Sequence, residues 1–295
     1  MPAPAAVMRE YLPCPELRPY VCCYVWFTFE GEEPERTIVR VLPDGTQESQ
    51  FNLADPLLTR MIPGGHQSIT FFFGDPWRFR NGSRAALASR TSWVMGATTQ
   101  PGTIEFGRRA DAFGVLFHPG RAHIFLRVPA DSLTDEIVAL DDLWGPVART
   151  LEAQLAELPT VAQKIRVLEK ELLRRLRAAR WIDAGLQPIT DLIQRERGGV
   201  SVEWLSQASG MSRQHLARKF RQQVGVTPKQ FCRFARFHAL VSHIYQNPQV
   251  DWARAAAELG YYDQAHLIAE FKEFTGLTPS QFFRPPVDTS ALAAD

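Results

Sequence analysis

Two patterns of hydrophobic and polar positions divide the chain. Up to about residue 130, short runs of strand formers alternate with turn formers, and many short strands at this spacing predict a β-barrel or β-sandwich. The predicted strands are 21–29, 37–42, 68–73, 91–96, 102–106 and 113–117. From about Pro146 the apolar period changes to about 3.6 residues, which predicts helices. The fold class predicted from these patterns is α+β, with a β-rich front and a helical back.

The segment after Pro159 predicts an amphipathic helix. Its apolar stripe consists of Val161, Ile165, Leu168, Leu172 and Leu176. Its opposite face carries Lys164, Arg166, Lys170, Arg174, Arg175 and Arg177. We expect the stripe to pack on its own domain and the basic face to be solvated. A dimer interface is the alternative, because a/d spacing holds for about two heptads. Gly185 and Pro188 then indicate a linker.

A repeat occupies the C-terminal third of the chain. Four landmarks recur at an offset of 51 residues: Phe220, Gly225, Pro228 and Phe231 correspond to Phe271, Gly276, Pro279 and Phe282. The offset between Gly210 and Gly260 is 50, so the second copy has one additional residue in its turn. The repeat predicts two copies of one helical unit.

Local signals in each copy predict a helix-turn-helix. In the first copy, Ser201 and Ser212 are candidate N-caps, and Gly210 ends the helix between them. A helix, a short turn closed by glycine and a capped second helix is the spacing that lets the second helix enter a major groove. Between the copies, Pro228 to Gln246 predicts one long helix that fixes the distance between the two units.

The second helix of each unit carries side chains that suit duplex DNA. Arginine offers a forked donor to guanine, glutamine can pair with adenine, and the remaining cations can neutralise phosphates. The candidate DNA-binding residues are Arg213, Gln214, Arg218, Lys219, Arg221, Gln264, His266 and Lys272. Among them we assign base reading to Arg218, and phosphate contact to Lys219 and Arg221.

Residues from about 187 to 286 resemble the DNA-binding domain of the AraC/XylS family of bacterial transcription regulators. The resemblance is closest over Gly260-Tyr-Tyr-Asp-Gln-Ala-His-Leu-Ile-Ala-Glu-Phe271-Lys-Glu-Phe-Thr-Gly276-Leu-Thr-Pro279. It implies a seven-helix domain in which two helix-turn-helix units, joined by a long helix, place their recognition helices in successive major grooves. The function that it implies is sequence-specific transcription regulation.

The front of the chain resembles the β-rich N-terminal domain of one branch of this family, over residues 113–145 and at Val41-Leu-Pro-Asp44-Gly45. This resemblance implies a cupin-like barrel that senses a small molecule or mediates self-association. The predicted division is therefore a regulatory domain at 1–145, a helical linker with a possible dimerisation role at 146–186, the DNA-binding domain at 187–286 and a disordered tail at 287–295.

The two units differ in charge. Residues 200–250 carry seven basic side chains and one acid, a net charge of +6, whereas residues 251–286 carry three basic and five acidic side chains, a net charge of −2. Many family members have an arginine where this chain has Ala269, between Ile268 and Glu270. Our hypothesis is that the first unit supplies most of the specific contact and that Gln264 and His266 read modestly.

Composition and residue spacing argue against several other classes of function. The chain has no apolar run long enough for a membrane span and no signal-like start, which predicts a cytoplasmic protein. The four cysteines have no metal-like spacing, and His66, His118 and His123 are scattered, so we expect neither a metal nor a cofactor. No catalytic arrangement can be argued from spacing, so an enzyme is not expected. The alternatives are a cupin-like enzyme and an adaptive-response DNA-repair protein, each with an accessory DNA-binding segment.

The expected partner is double-stranded DNA. RNA polymerase, a small-molecule effector and a second copy of the chain are further partners that the resemblance leaves open, and no membrane contact is expected.

Overall fold

The computed structural model of the chain describes residues 6–30, 37–41, 47–52, 58–61, 63–81, 84–87, 92–105, 107–179, 186–247 and 250–283. The predicted tail at 287–295 and most of the segment 41–45 lie outside the described residues. The strands are β1 (Ala6–Tyr11), β2 (Val21–Glu30), β3 (Thr37–Val41), β4 (Gln47–Asn52), β5 (Leu58–Met61), β6 (Ser68–Phe72), β7 (Arg78–Asn81), β8 (Arg84–Leu87), β9 (Ser92–Met95), β10 (Gly102–Glu105), β11 (Arg109–Phe117) and β12 (Ile137–Ala139).

These strands form two sheets. The larger sheet has the order β12-β9-β6-β11-β2-β1-β3-β4 and the smaller one has the order β5-β10-β7-β8. Most neighbours are antiparallel, and β1 and β3 are parallel. The centre of the larger sheet is the long pair β2 and β11, whose register shifts at a bulge between Leu116 and Phe117. The β-rich front that the sequence predicts is confirmed.

An aromatic core covers one face of the larger sheet. Tyr24, Phe71 and Phe113 are fully buried on neighbouring strands, and the ring centroid of Phe113 lies 6.2 Å from that of Tyr24 and 6.4 Å from that of Phe71. Phe117 stacks on Phe125 at 5.1 Å. Burial of such rings is the main favourable term for a domain of this size.

Short helices close this core. They are α1 (His123–Leu126), a 3₁₀ helix (Ala130–Leu133), α2 (Leu140–Trp144), α3 (Pro146–Glu157) and α4 (Val161–Arg177). The predicted amphipathic helix is α4, capped by the Thr160 side chain. Leu168 and Leu172 are fully buried in the same core as Phe71 and Phe113, so the apolar stripe packs on the front domain as expected.

The expectation for the basic face of α4 is wrong at two positions. Lys164 and Arg175 are buried rather than solvated. The ammonium of Lys164 donates to the Leu155 carbonyl and lies 4.2 Å from the centre of the Phe73 ring. The Arg175 guanidinium lies 3.8 Å from the centre of the Trp144 ring and pairs with Glu171 at 2.6 Å. Long cationic side chains can cover aromatic surface in this way, and apolar periodicity does not register it.

Seven helices make up the described part of the C-terminal domain, as the resemblance implies. They are α5 (Gln187–Arg195), α6 (Val202–Ser209), α7 (Arg213–Val224), α8 (Pro228–Gln246), α9 (Trp252–Glu258), α10 (Gln264–Thr275) and α11 (Pro279–Phe282). The long connecting helix α8 has the predicted bounds. Thr227 and Gln230 form a capping box at its start, and Pro228 occupies its first turn, where a missing N–H costs nothing.

A buried carboxylate joins α8 to α10. Glu270 is 3% exposed, and its side chain accepts hydrogen bonds from Arg233 at 2.7 Å and from Arg236 at 3.4 Å. Arg233 also pairs with Glu273 at 2.6 Å. Phe237 of α8 contacts the rings of Phe271 and Phe274 at centroid distances of 5.3 and 5.2 Å. Together these contacts fix the second unit on α8.

The front domain packs against the first unit. The Thr134 hydroxyl donates to the carbonyl of Gly225 at 2.6 Å, and Gly225 ends α7 with a φ of +92°. A Cβ on Gly225 would come within 2.8 Å of that hydroxyl, and a Cβ on Gly65 would come within 2.6 Å of the Phe231 ring. Ala97 of the front domain belongs to the hydrophobic core of the C-terminal domain. Glycines at both places allow the two domains to approach this closely.

The buried carboxylate generates a stability prediction. Glu270→Ala leaves two arginines without their shared acceptor, and we expect the free energy of unfolding to fall by about 3 kcal/mol, because both arginines keep some contact with solvent. The matched control is Glu258→Ala, which removes an exposed pair with Arg254 on α9 and should leave stability unchanged. Urea denaturation of the full chain measures both variants. Equal stability of the two variants would contradict the structural role of Glu270.

Candidate nucleic-acid interface

The first helix-turn-helix consists of α6, the turn 210–212 and α7. The Ser201 hydroxyl accepts a hydrogen bond from the backbone N–H of Trp204 at 3.1 Å, and the Ser212 hydroxyl accepts one from His215 at 3.2 Å. Gly210 adopts a left-handed conformation, with φ of +66°, and so ends α6. Each predicted cap is present, which explains why the chain turns at these positions.

The outer face of α7 presents the predicted DNA-binding side chains. Leu216 and Phe220 are fully buried and attach the helix to the domain. The predicted residues lie on the remaining surface: Arg213, Gln214, Arg218 and Arg221 are exposed, and Lys219 is half-buried. The structure therefore gathers all five on one helix, with Arg218 directed away from the core as expected.

Arg213 is not as available as the sequence suggests. Its guanidinium pairs with Glu203 of α6 at 2.7 Å, and both side chains are more than half exposed. A pair this exposed contributes little stability, so it can open when a phosphate competes for the arginine. We therefore retain Arg213 as a candidate phosphate contact, in competition with Glu203.

The second helix-turn-helix consists of α9, a longer turn and α10. Asp263 caps α10 by accepting from the His266 N–H at 2.7 Å, and Gly260 has a φ of +73°. The residue that lengthens the turn is Tyr262. Its neighbour Tyr261 is buried under Arg236, at 4.8 Å, whereas Tyr262 is 92% exposed.

Tyr262 is a residue that the sequence argument missed. A fully exposed tyrosine beside the start of a recognition helix is well placed for DNA contact, since Tyr can bond a phosphate with its hydroxyl. The change of repeat offset from 50 to 51 was the signal that marked this position.

The outer face of α10 presents the predicted residues of the second unit. Gln264, His266, Lys272 and Ala269 are exposed. Glu270 is buried, and it pairs with Arg233 and Arg236 of α8. At Ala269 the exposed face of α10 offers no long side chain.

The His266 ring has a defined hydrogen-bonding polarity. Its Nδ1 accepts a hydrogen bond from the Tyr262 backbone N–H at 3.2 Å. In the neutral ring the proton is then on Nε2, because only one of the two nitrogens carries it. The exposed ring therefore offers a donor to DNA, which suits guanine N7 or O6, or a phosphate oxygen.

The charge difference between the two units is smaller than the sequence count suggests. Arg233 and Arg236 belong to the first unit in sequence, but they pair with Glu270 and Glu273 of the second. Setting these four residues aside leaves +4 for the first unit and 0 for the second. The sign of the difference stays the same, and its size at the surface is halved.

Metal-ligating residue types are scattered over the described part of the chain. Within it, no three side chains of His, Cys, Asp or Glu are arranged to hold a metal ion. His118 lies in the turn after β11 and His123 begins α1. Among the described helices, none combines the length and apolar composition that a membrane crossing requires.

Two family models match the chain. Residues 205–285 match a family described as "Helix-turn-helix domain", and residues 9–139 match a domain of unknown function, DUF6597. The helix-turn-helix match covers both units described above. The C-terminal domain is therefore a helix-turn-helix domain. The second helices of its two units, α7 and α10, both fall inside the matched range.

Known proteins resemble parts of the chain. An uncharacterized HTH-type transcriptional regulator of Haemophilus influenzae is 31% identical over 91 residues, which are 31% of this chain and 30% of the relative. The chain thus matches less than a third of that relative's length. Among solved structures, ToxT from Vibrio cholerae has a TM-score of 0.42 and 10% identity, covering 78% of this chain and 97% of ToxT. The AraC-like transcriptional activator CuxR has a TM-score of 0.21 and 14% identity, covering 75% and 73%.

The polarity of His266 generates a prediction about base preference. His266→Ala removes one hydrogen-bond donor, and we expect a loss of about 1 kcal/mol in binding to a preferred duplex. The variant and the wild type should bind equally well to a duplex in which the one base pair contacted by His266 is changed. In the preferred duplex, that base pair should present an acceptor such as guanine N7. Competition between duplexes that differ at one base pair measures this. The amino group of cytosine is a donor and would need an acceptor on the ring. If His266→Ala loses a preference for that amino group, the assigned tautomer is contradicted.

Proposed function

We propose that this protein is a sequence-specific, double-stranded DNA-binding transcription regulator. The observation that carries the proposal is the pair of exposed recognition helices, α7 and α10, attached to opposite parts of one helix, α8. The exposed side chains of both helices are the types that contact bases and phosphates. The activity is binding, with no chemical step, and the cytoplasmic location expected from the sequence stays a prediction.

The first unit is the main reader in this proposal. Arg218 is exposed on α7 and has no ion-pair partner among the described residues, so its fork can address a guanine edge. Lys219 and Arg221 lie one and three positions after Arg218 along the helix, and they neutralise phosphates. Gln214 lies one turn before Arg218 on the same side, where it can address a neighbouring base.

The second unit helps to position the protein on DNA and contributes moderate selectivity for bases. Gln264 and His266 lie in the first turn of α10 and can reach base edges, and Lys272 lies two turns later, where it supplies a phosphate contact. Ala269 occupies the place of a long reader. The two units share one architecture, but these side chains make the second unit less selective for bases than the first.

The front domain modulates the reader. Its contact with the C-cap of α7 and with α8 gives it a physical route to the first recognition helix. The partners proposed for this regulation are a small molecule, RNA polymerase and a second copy of the chain.

The separation of roles on α7 is testable with two variants. Arg218→Ala should reduce affinity for a selected duplex by about 1–3 kcal/mol and relax selectivity at one position. Arg221→Ala is the matched control: it should weaken all duplexes equally and lower the steepness of the salt dependence by about one. Binding is measured by fluorescence anisotropy over a salt series. Identical effects of the two variants on all duplexes would contradict the assignment.

The asymmetry between the units is tested by a comparison across them. Gln264→Ala should cost less affinity for the selected duplex than Arg218→Ala, because a single amide is replaced where Arg218 loses a charged fork. A larger loss for Gln264→Ala would reverse the proposed order of the two readers.

A further inference from the structure

A cavity lies at the seam between the front domain and the C-terminal domain. Its volume is about 240 Å³. Gly65 and His66 line it from the front domain, and one side of α8 together with Gln194 of α5 lines it from the C-terminal domain. The side of α8 contributes Phe231, Phe234, Ala235, His238, Ala239 and Ser242. The walls therefore combine two phenyl rings and two alanines with four polar side chains, and the polar ones include one imidazole ring from each domain.

Both rings have a hydrogen-bonding polarity that the backbone sets. His66 Nδ1 lies 3.1 Å from the Phe117 carbonyl oxygen, and His238 Nε2 lies 3.1 Å from the Pro63 carbonyl oxygen. A carbonyl oxygen can only accept, so each of these nitrogens carries the proton. The second nitrogens, His66 Nε2 and His238 Nδ1, have no hydrogen bond to any described residue.

The two rings are neutral near pH 7. Burial lowers the pKa of His66 to about 4, and the neighbouring His238 and His118 lower it further, against the Phe117 carbonyl. Burial also lowers the pKa of His238, against the Pro63 carbonyl. A neutral ring with one nitrogen committed as donor offers a lone pair at the other. The cavity thus holds two acceptor nitrogens beside the Phe231 and Phe234 rings.

The size and the walls restrict the occupant. Pockets for drug-sized ligands have volumes of about 300–1,000 Å³, so this cavity suits a smaller molecule, such as one with a single ring. Phe231 and Phe234 favour an aromatic or alicyclic body. A hydroxyl group satisfies an acceptor nitrogen, whereas a purely apolar molecule leaves both lone pairs without a partner.

We propose that this cavity binds a small monocyclic alcohol or phenol, with its hydroxyl donating to His66 Nε2 or His238 Nδ1. Binding itself does not depend on the function proposed above, but its regulatory meaning does. Phe231 packs over Gly65, and its ring centroid lies 6.0 Å from that of Phe220 on α7. An occupant beside Phe231 therefore contacts the group that connects the front domain to the first recognition helix.

The experiment uses phenol and toluene as probes on the full chain. The two molecules have nearly the same shape, and toluene lacks the hydroxyl. Calorimetric titration and thermal unfolding measure binding to the protein, since a ligand that binds the folded state raises the melting temperature. We expect saturable binding of phenol, about fivefold tighter than that of toluene, from one net hydrogen bond.

Three variants locate the site. Ala239→Leu fills the cavity and should abolish binding of both probes, whereas Ala153→Leu makes the same change on the exposed surface of α3 and should bind both as the wild type does. His238→Leu, or the corresponding change at His66, should remove the preference for phenol in at least one of the two variants. If the histidine variants fail to fold, the Ala239→Leu and Ala153→Leu comparison still decides the location.

Three outcomes overturn the proposal: no saturable phenol binding by the wild type, equal affinity for phenol and toluene, or unchanged phenol binding by Ala239→Leu. DNA binding is measured separately on the same proteins. Intact DNA binding without phenol binding rejects the cavity assignment and leaves the proposed function standing. Phenol binding by a protein that binds no DNA supports the cavity assignment and rejects the proposed function.

Discussion

The aromatic side chains of α8 hold three parts of the molecule together. Phe237 packs on Phe271 and Phe274 of the second unit, and Phe231 packs on Phe220 of the first unit and over Gly65 of the front domain. A helix of 19 residues is about 28 Å long, which approaches the roughly 34 Å between successive major grooves on one face of DNA. The rigidity of α8 therefore determines how far apart the two recognition helices can lie.

Electrostatics adds orientation to this packing. The Glu270 carboxylate is withdrawn from water and shared by Arg233 and Arg236, so α10 can attach to α8 in one rotational setting without leaving a buried charge unpaired. The same arrangement consumes charges that a count along the sequence assigns to DNA contact. The proposed DNA-binding surface is thus less asymmetric in charge than the sequence suggests, although the first unit keeps the larger positive charge.

Local signals made the helical half predictable. Caps at Ser201, Ser212 and Thr227, and glycine at Gly210, act within four residues, so they can be read without knowing the tertiary structure. The predicted strands were located, but their order was not, because pairing joins residues far apart in sequence, such as Arg109 and Glu30. Burial of Lys164 and Arg175 escaped prediction for the same reason. Their aromatic partners, Phe73 and Trp144, lie outside the helix that carries them.

The candidate DNA-binding residues followed from the repeat, and all of them lie on α7 and α10. The seam between the domains was not predictable, since Gly65 meets Phe231 and Thr134 meets Gly225 across more than 90 residues of chain. These contacts depend on small side chains whose positions carry no periodic signal. They connect the front domain to the end of α7, and so they are the physical basis of the regulation that we propose.

Selection of bound duplexes from a random DNA library tests the central claim most directly. Two units on one rigid helix predict two short blocks of enriched bases whose centres lie about 10 base pairs apart, with the stronger enrichment lost in Arg218→Ala. Enrichment of a single block, or retention by the wild-type protein of duplexes without any shared sequence, would contradict a two-unit, sequence-specific reader.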